Sequence, residues 1–357
     1  MSKVYFSSLY AKSKSENVPN KLRRMFDKAG FREFASPQDM TAVKLHFGEK
    51  GNTTYVHPVY VRAIVDKVRE SGCRPFLTDT NTLYSGSRRN SIDHIRTAVE
   101  NGFGYEVTGA PIIIADGLYS KNSVEVEIGC RHFSHAKIAG DIYYADSMVV
   151  ISHFKGHEMA GFGGAIKNLA MGGATAAGKQ MQHSSIKPEV EEERCISCMR
   201  CRAVCPVQAI SAKENRKANI DHEICYGCGE CVTVCPVKSI DVNWTTDNNQ
   251  FLEKMAEFAY GAVKNKMKKT AYFSFLMNVT PHCDCAGWSD RPIVGDIGIL
   301  ASDDPVAIDA ACYDLVEKLA GEDAIAKAHP QIDARYILRY AEEIGLGSRE
   351  YQLIDIG

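Results

Sequence analysis

The chain has 357 residues, 45% of them hydrophobic, and 42 Lys and Arg against 44 Asp and Glu leave a formal net charge of −2. That is length for roughly two or three domains, while the near-neutral balance speaks against nucleic acid as a partner, since phosphate binding needs clustered cations. No apolar run approaches the ~20 residues of a membrane-spanning helix, and the opening Met1-Ser2-Lys3-Val4 lacks the pattern of a secretory leader, so a cytoplasmic protein without a membrane partner is expected.

Short apolar runs alternate with helical patterns from the start. Strands are expected at Val4–Phe6, Ala42–Phe47, Pro75–Thr78 and Met148–Ile151, and helices at Asn20–Ala29, Val59–Val68, Ile92–Val99 and Ala165–Ala170. This alternation argues for an α/β sheet with helical crossovers. The small-residue stretch Gly172–Lys179 reads as a loop, and the acidic Pro188–Glu193 as a hinge. After residue 243 the same vocabulary returns, with a helix at Phe251–Lys266 and strands at Ala271–Leu276 and Asp296–Leu300. Asp304 and Pro305 suit the cap and first position of a helix over Val306–Leu319. A last amphipathic helix is expected at Ala334–Glu343. The basic tract Lys264–Lys269 ends a helix, where cations are favoured. The chain thus divides into an α/β body, discontinuous in sequence (1–186 and 244–357), and an inserted α+β two-cluster ferredoxin-like domain (187–243).

The insert is carried by cysteine spacing. Of 13 cysteines, eight lie in two runs, Cys195, Cys198, Cys201, Cys205 and Cys225, Cys228, Cys231, Cys235, each reading C-x₂-C-x₂-C-x₃-C-P. Soft thiolates at these spacings wrap three corners of an iron–sulfur cube, and the fourth cysteine of each run serves the other cluster. Two [4Fe–4S] clusters are therefore expected: one on Cys195, Cys198, Cys201 and Cys235, the other on Cys225, Cys228, Cys231 and Cys205, with a helix starting at each fourth cysteine. Paired zinc sites would need four ligands each and have no use for the repeated terminal Cys-Pro. Two adjacent clusters form an electron path more naturally than a structural staple.

Three further stretches concentrate polar chemistry. Lys44 and His46 lie two apart at a strand end, where open α/β sheets bind ligands. His153, Lys155 and His157 precede Gly161, Gly163, Gly164, Lys167 and Asn168, a Gly-rich approach to a helix start that suits a small anion or an organic cofactor. His282, Cys283, Asp284 and Cys285 suit a metal, a cluster edge, a substrate sulfur or, as two buried thiols, nothing but packing. Cys73, Cys130 and Cys312 read as core residues, and His57 and His183 as structural histidines. Asp79-Thr80-Asn81 closes a strand and reads equally as cleft lining or as an ordinary turn.

Lys44-Leu45-His46-Phe47-Gly48, the His153–Asn168 stretch, His282–Cys285 and Asp296–Asp309 together resemble domain-of-unknown-function family 362 in its ferredoxin-containing form. That resemblance implies an anaerobic-type iron–sulfur protein with an α/β body and no settled substrate. A more distant similarity is to the lactate racemase group, which holds a nickel pincer cofactor with histidines and lysines. Racemisation is redox-neutral, so that activity does not carry over to a chain with an electron path. The resulting expectation is an iron–sulfur oxidoreductase in which clusters exchange electrons with a cleft. Lys44, His46, Lys155, His157 and Lys167 would do its chemistry, Gly161, Gly163, Gly164 and Asn168 would bind a cofactor, and Cys283 and Cys285 would supply metal ligation or thiol chemistry. A carrier docking on a redox partner protein and a metal- or cluster-binding maturation scaffold are the rival readings.

Overall fold

Strands whose alternate residues are all apolar need cover on both faces, and the central sheet has it. Met148 and Val150 face one core with Tyr272, Leu276 and Leu300, while Val149 and Ile151 face another with Phe273, Phe275 and Ile299. Helices Ala165–Gly173, Asn248–Val263, Pro305–Ala320 and Tyr336–Glu343 pack on the first face. Val18–Lys28, Pro58–Glu70 and Ser91–Glu100 pack on the second. The computed structural model describes residues 1–83, 86–183, 188–205, 207–225, 231, 234–241 and 248–357.

The eight strands lie in the order Tyr351–Asp355, Ser2–Ser8, Gly298–Ser302, Thr270–Leu276, Ser147–His153, Met40–Lys44, Arg74–Asp79 and Ile112–Ile114. The last five run parallel to one another, and Gly298–Ser302 is antiparallel to both its neighbours. Strand order reverses beside Met40–Lys44: the chain moves outward to Arg74–Asp79 and Ile112–Ile114, then returns to the other side with Ser147–His153. In such sheets the crevice beyond the carboxyl ends at the reversal is the usual ligand site.

Four expectations change here. Gly172–Lys179 is largely helical, in Ala165–Gly173 and Ala176–His183. Its glycines serve close packing: a Cβ on Gly172 would strike the Lys44 ammonium, and one on Gly178 the carbonyl of Lys137. The strand expected over Ala42–Phe47 ends at Lys44, and that over Asp296–Leu300 runs instead over Gly298–Ser302. In the cysteine-rich segment the helix Arg200–Ala203 precedes Cys205 rather than following it, and Cys235 likewise stands after a helical residue, Val234. The Asp304 cap is as expected, its carboxylate accepting from the amides of Val306 and Ala307.

Residues 188–241 have a small core of their own: Cys195, Cys201, Ile210, Ala218, Cys231, Cys235 and Ile240. Two short antiparallel pairs frame it, Glu189–Val190 with Ile240–Asp241 and Ile210–Ala212 with Ala218–Ile220. Cys228 and Pro206 lie outside the described residues. Among the described residues, no helix is long and apolar enough to cross a membrane.

Candidate functional site

Lys44, Asp79 and His153 end three adjacent parallel strands, and the chain leaving the strand Thr270–Leu276 continues to Cys283-Asp284-Cys285. The four meet at a cavity of about 280 Å³. Lys44, His46, Lys155, His157, Lys167, Asn168, Cys283 and Cys285 all line it, so the three polar stretches separated in sequence converge. Gly164 lines it too; Gly161 and Gly163 form a strand paired with Lys155–His157. His282 turns away onto Trp288, with ring centroids 4.8 Å apart.

The helix start expected to hold an anion is already filled. The buried Asp309 carboxylate accepts from the amides of Ala165 (2.7 Å) and Ile166 (2.9 Å), and a Cβ on Gly164 would collide with it. Asn168 is also committed: its Oδ1 accepts from Lys44 Nζ at 2.6 Å, and its Nδ2 donates to the carbonyl of Ile151 and to Ser152 Oγ.

Charge in the cavity is paired in two buried sets. Lys44 Nζ lies 3.0 Å from Asp79 Oδ1, and Arg88 bridges Asp79 to Glu49. Burial lowers the Lys44 pKa against the pull of Asp79; burial would raise Asp79, but Lys44 and Arg88 hold it well below the carboxylate range. In the second set Asp284 accepts from His153 Nδ1 (2.9 Å) and Thr54 Oγ1 (3.0 Å), with Lys155 Nζ at 3.4 Å. His153 Nε2 faces the carbonyls of Met277 and Asn278, so both ring nitrogens are taken and His153 positions Asp284 rather than a ligand. Burial works against the Asp284 charge, and His153 and Lys155 outweigh it.

The two remaining histidines are neutral. His157 Nδ1 accepts from the amides of Met159 (3.2 Å) and Ala160 (3.1 Å), and His46 Nδ1 from Gly48 (2.9 Å), so each ring keeps its proton on Nε2. Burial pushes both far below their ordinary pKa, with the cations Arg88 and Lys167 adding to the effect at His46 and His157 respectively.

Sulfur closes the cavity. Lys167 Nζ lies 3.3 Å from Cys283 Sγ. Cys283 is drawn well below the ordinary thiol pKa by the hydrogen bond from Cys285 and by Lys167 and Lys155, against burial, while Cys285, on the other side of that bond and also buried, is pushed well above. One thiolate and one thiol thus share a proton. Burial works against the Lys167 charge, and the thiolate raises its pKa in return. His157, Cys283 and Cys285 bring their ligand atoms within 4.8 Å of one another, a group that could hold a metal ion; its soft donors suit zinc, copper(I), iron or nickel.

Cavity residues that spacing alone does not single out are Arg88, Lys179 and His183. Lys179 sits on the helix read as a loop, donates to Thr80 Oγ1 at 2.6 Å, and is lowered by burial to about 8. His183 lines the cavity although its sequence context is bland. Lys179 and His183 lie four residues apart, on one face of that helix, which was the available signal.

A second cavity, about 270 Å³, shares Thr82 and Leu83 with the first and is walled on its far side by Arg200, Cys235 and Pro236. Beyond it Cys195, Cys198, Cys201 and Cys235 line one small void. Amides point at sulfur with the same four-residue step in both runs: Ala209 N to Cys205 Sγ and Ser239 N to Cys235 Sγ, each 3.2 Å. Burial raises the thiols of Cys195 and Cys235; the amides of Ala218 and Ser197 with the Ser239 hydroxyl at Cys195, and the hydroxyl and amide of Ser239 at Cys235, overcome it and leave both lowered.

A family model described as domain of unknown function (DUF362) matches residues 41–314. The chain belongs to that family. In this DUF362 chain the matched region takes in every cavity residue named above and the whole cysteine-rich segment. Solved structures with a similar fold include the lactate racemase apoprotein from Thermoanaerobacterium thermosaccharolyticum (11% identity, TM-score 0.39, covering 76% of this chain and 50% of that one). Another is a protein of Thermotoga maritima (11% identity, TM-score 0.42, covering 87% and 60%). The DUF362 chain therefore spans half to three-fifths of the length of these structures. No curated protein matches it.

Proposed function

We propose that this DUF362 protein is an iron–sulfur oxidoreductase in which two [4Fe–4S] clusters exchange electrons with the carboxyl-end cavity. The observation that carries the reading is the void lined together by Cys195, Cys198, Cys201 and Cys235. Three come from the first run and the fourth from the end of the second, the crossed set that a two-cluster ferredoxin needs. Amides aimed at Cys205 and Cys235 and the lowered thiols of Cys195 and Cys235 fit thiolate ligands. Cys225, Cys231 and Cys205 would hold the second cluster with Cys228, which lies outside the described residues. Such clusters supply one-electron transfer when bound. The wall of Thr82 and Leu83, common to the cavity and to the space bordered by Cys235, supports pairing the two regions.

In the cavity the chain's own residues bind and hold protons. Lys155 and Lys167 set a positive field for a small anionic substrate, while Asp284 holds Lys155 in place and Asp79 holds Lys44. His157 and His46 present Nε2–H groups as hydrogen-bond donors to that substrate. A docking partner for electron entry is favoured by one further observation: Cys198 is exposed beside Ile196, an apolar side chain 58% exposed.

Anaerobic iron and sulfide analysis with electron paramagnetic resonance tests the reading. About eight iron and eight sulfide per chain, with the signal of reduced cubane clusters, is the expected result; zinc in place of iron, without sulfide, overturns it.

A further inference from the structure

We infer that Cys283 and Cys285 form a dithiol–disulfide couple that exchanges with a small, carboxylate-bearing organic disulfide bound in the carboxyl-end cavity. This goes beyond the cluster reading, because the exchange needs no iron.

Three features of the loop carry it. The two sulfurs lie within 4.8 Å of each other, and both cysteines line the cavity. Between them Asp284 turns to the opposite side, wholly buried and held by His153, Lys155 and Thr54, which anchors the backbone so that both cysteines stay on one face. Lys167 Nζ, 3.3 Å from Cys283 Sγ, marks that sulfur as the one carrying negative charge. A thiolate next to a thiol is the arrangement thiol–disulfide exchange requires: one sulfur to attack and a neighbour to resolve the mixed disulfide.

The same geometry weighs against a resident metal. The Lys167 ammonium occupies the charged side of Cys283, where a cation would have to compete with it. His157, the third member of the group, has Nδ1 capped by two amides and its proton on Nε2, so ligation through Nε2 would strip the ring of the proton it holds.

The step balances without a further reagent. Cys283 thiolate attacks one sulfur of the disulfide R–S–S–R; the Cys283–S–R bond forms, the S–S bond breaks, and RS⁻ leaves. Cys285 then gives up its proton, which ends on the leaving thiolate, and its sulfur attacks Cys283. The second RS⁻ departs, protonated by solvent at neutral pH, as the Cys283–Cys285 disulfide forms. The protein dithiol is oxidised by two electrons, and the small disulfide is reduced to two thiols. Lys155 and Lys167 account for the preference for a carboxylate-bearing R group.

The test treats the full chain, as purified under anaerobic conditions, with cystine. Released cysteine and the masses of the peptide spanning both residues are followed, with the Cys283→Ser/Cys285→Ser variant setting the background from the other cysteines. Expected are two cysteines released per chain above background and a peptide that has lost one hydrogen from each thiol, both reversed by dithiothreitol. Cys285→Ser should stop at the stage where half a cystine is attached to Cys283. Lys167→Gln should slow the attack about tenfold at neutral pH and move its pH profile upward, a change that packing alone would not cause. Two free thiols after cystine, with no release above the double variant, overturn the proposal. So does one zinc or other metal ion per chain that the double variant lacks. Iron and sulfide counted on the same sample judge the cluster reading separately, since their absence leaves the exchange untouched.

Discussion

The cysteine-rich segment and the carboxyl-end cavity both gather sulfur and charge, but they assemble them by opposite means. In residues 188–241 the cysteine set follows from steps of two and three residues, and one void is lined by four cysteines drawn from 195–235. In the cavity no local run suffices: Lys44 finds Asp79 and Asn168, and His153 finds Asp284, only because the sheet sets their strands side by side. Damage should therefore stay local in the segment and spread in the cavity.

The sharpest break in that comparison is Cys201→Ser. The variant should fall from about eight iron to about four per chain by colorimetric assay, while the melting transition of the α/β body stays within about 2 °C of the parent's. A body that unfolds with the loss of one cluster would show that the two regions stand or fall together. Asp284→Ala attacks the other side. It leaves Lys155 and His153 buried without their counter-charge and should cost about 3–5 kcal/mol in urea unfolding; a cost under about 1 kcal/mol would mean that the pairs are replaceable by water.

The same contrast decides what was legible in the sequence. Alternating apolar residues identify the six longer strands, because burial on both faces leaves a continuous hydrophobic signature. Ile112–Ile114 is too short to carry one, and Tyr351–Asp355 is half-exposed at the sheet edge. The ends of strands are less legible than their middles: Lys44 stops its strand to meet Asp79, a decision made across the sheet. In the candidate site, the lysines, histidines and cysteines stand out by type. Asp79 and Asp284 lie in stretches that stand out, but nothing in the sequence pairs them with Lys44 and His153, and Arg88 and Asp309 look like ordinary surface residues until the fold buries them. Gly172–Lys179 misleads for a related reason, since small residues signal loops in isolation but close helix packing once a lysine lies above them.

Gly172→Ala tests that closeness. Its Cβ would land on the Lys44 ammonium and beside Asp79 Oδ1, so the buried pair must shift or the helix must move. A loss of about 1–3 kcal/mol is expected, and unchanged stability would show the pair to be mobile.

The smallest effect separates burial from charge at the helix start. Burial raises the Asp309 pKa from 3.8 to about 7, against the stabilising amides of Ile166 and Ala165. Between about pH 4 and 7 the folded chain therefore holds a proton that the unfolded chain has released. The sign follows: this residue's contribution to stability falls as pH rises through that window and is level above it. Asp309→Asn stays neutral throughout, so its stability carries no such slope. In urea unfolding the variant should gain on the parent by on the order of 1 kcal/mol per pH unit between about pH 5 and 7, and the margin should be level above about pH 8. Asp116, raised by burial to about 6, titrates in the same window, but it does so in both proteins and cancels in the difference. Parallel stability curves would mean that Asp309 keeps its charge in the folded state, with the two amides outweighing burial.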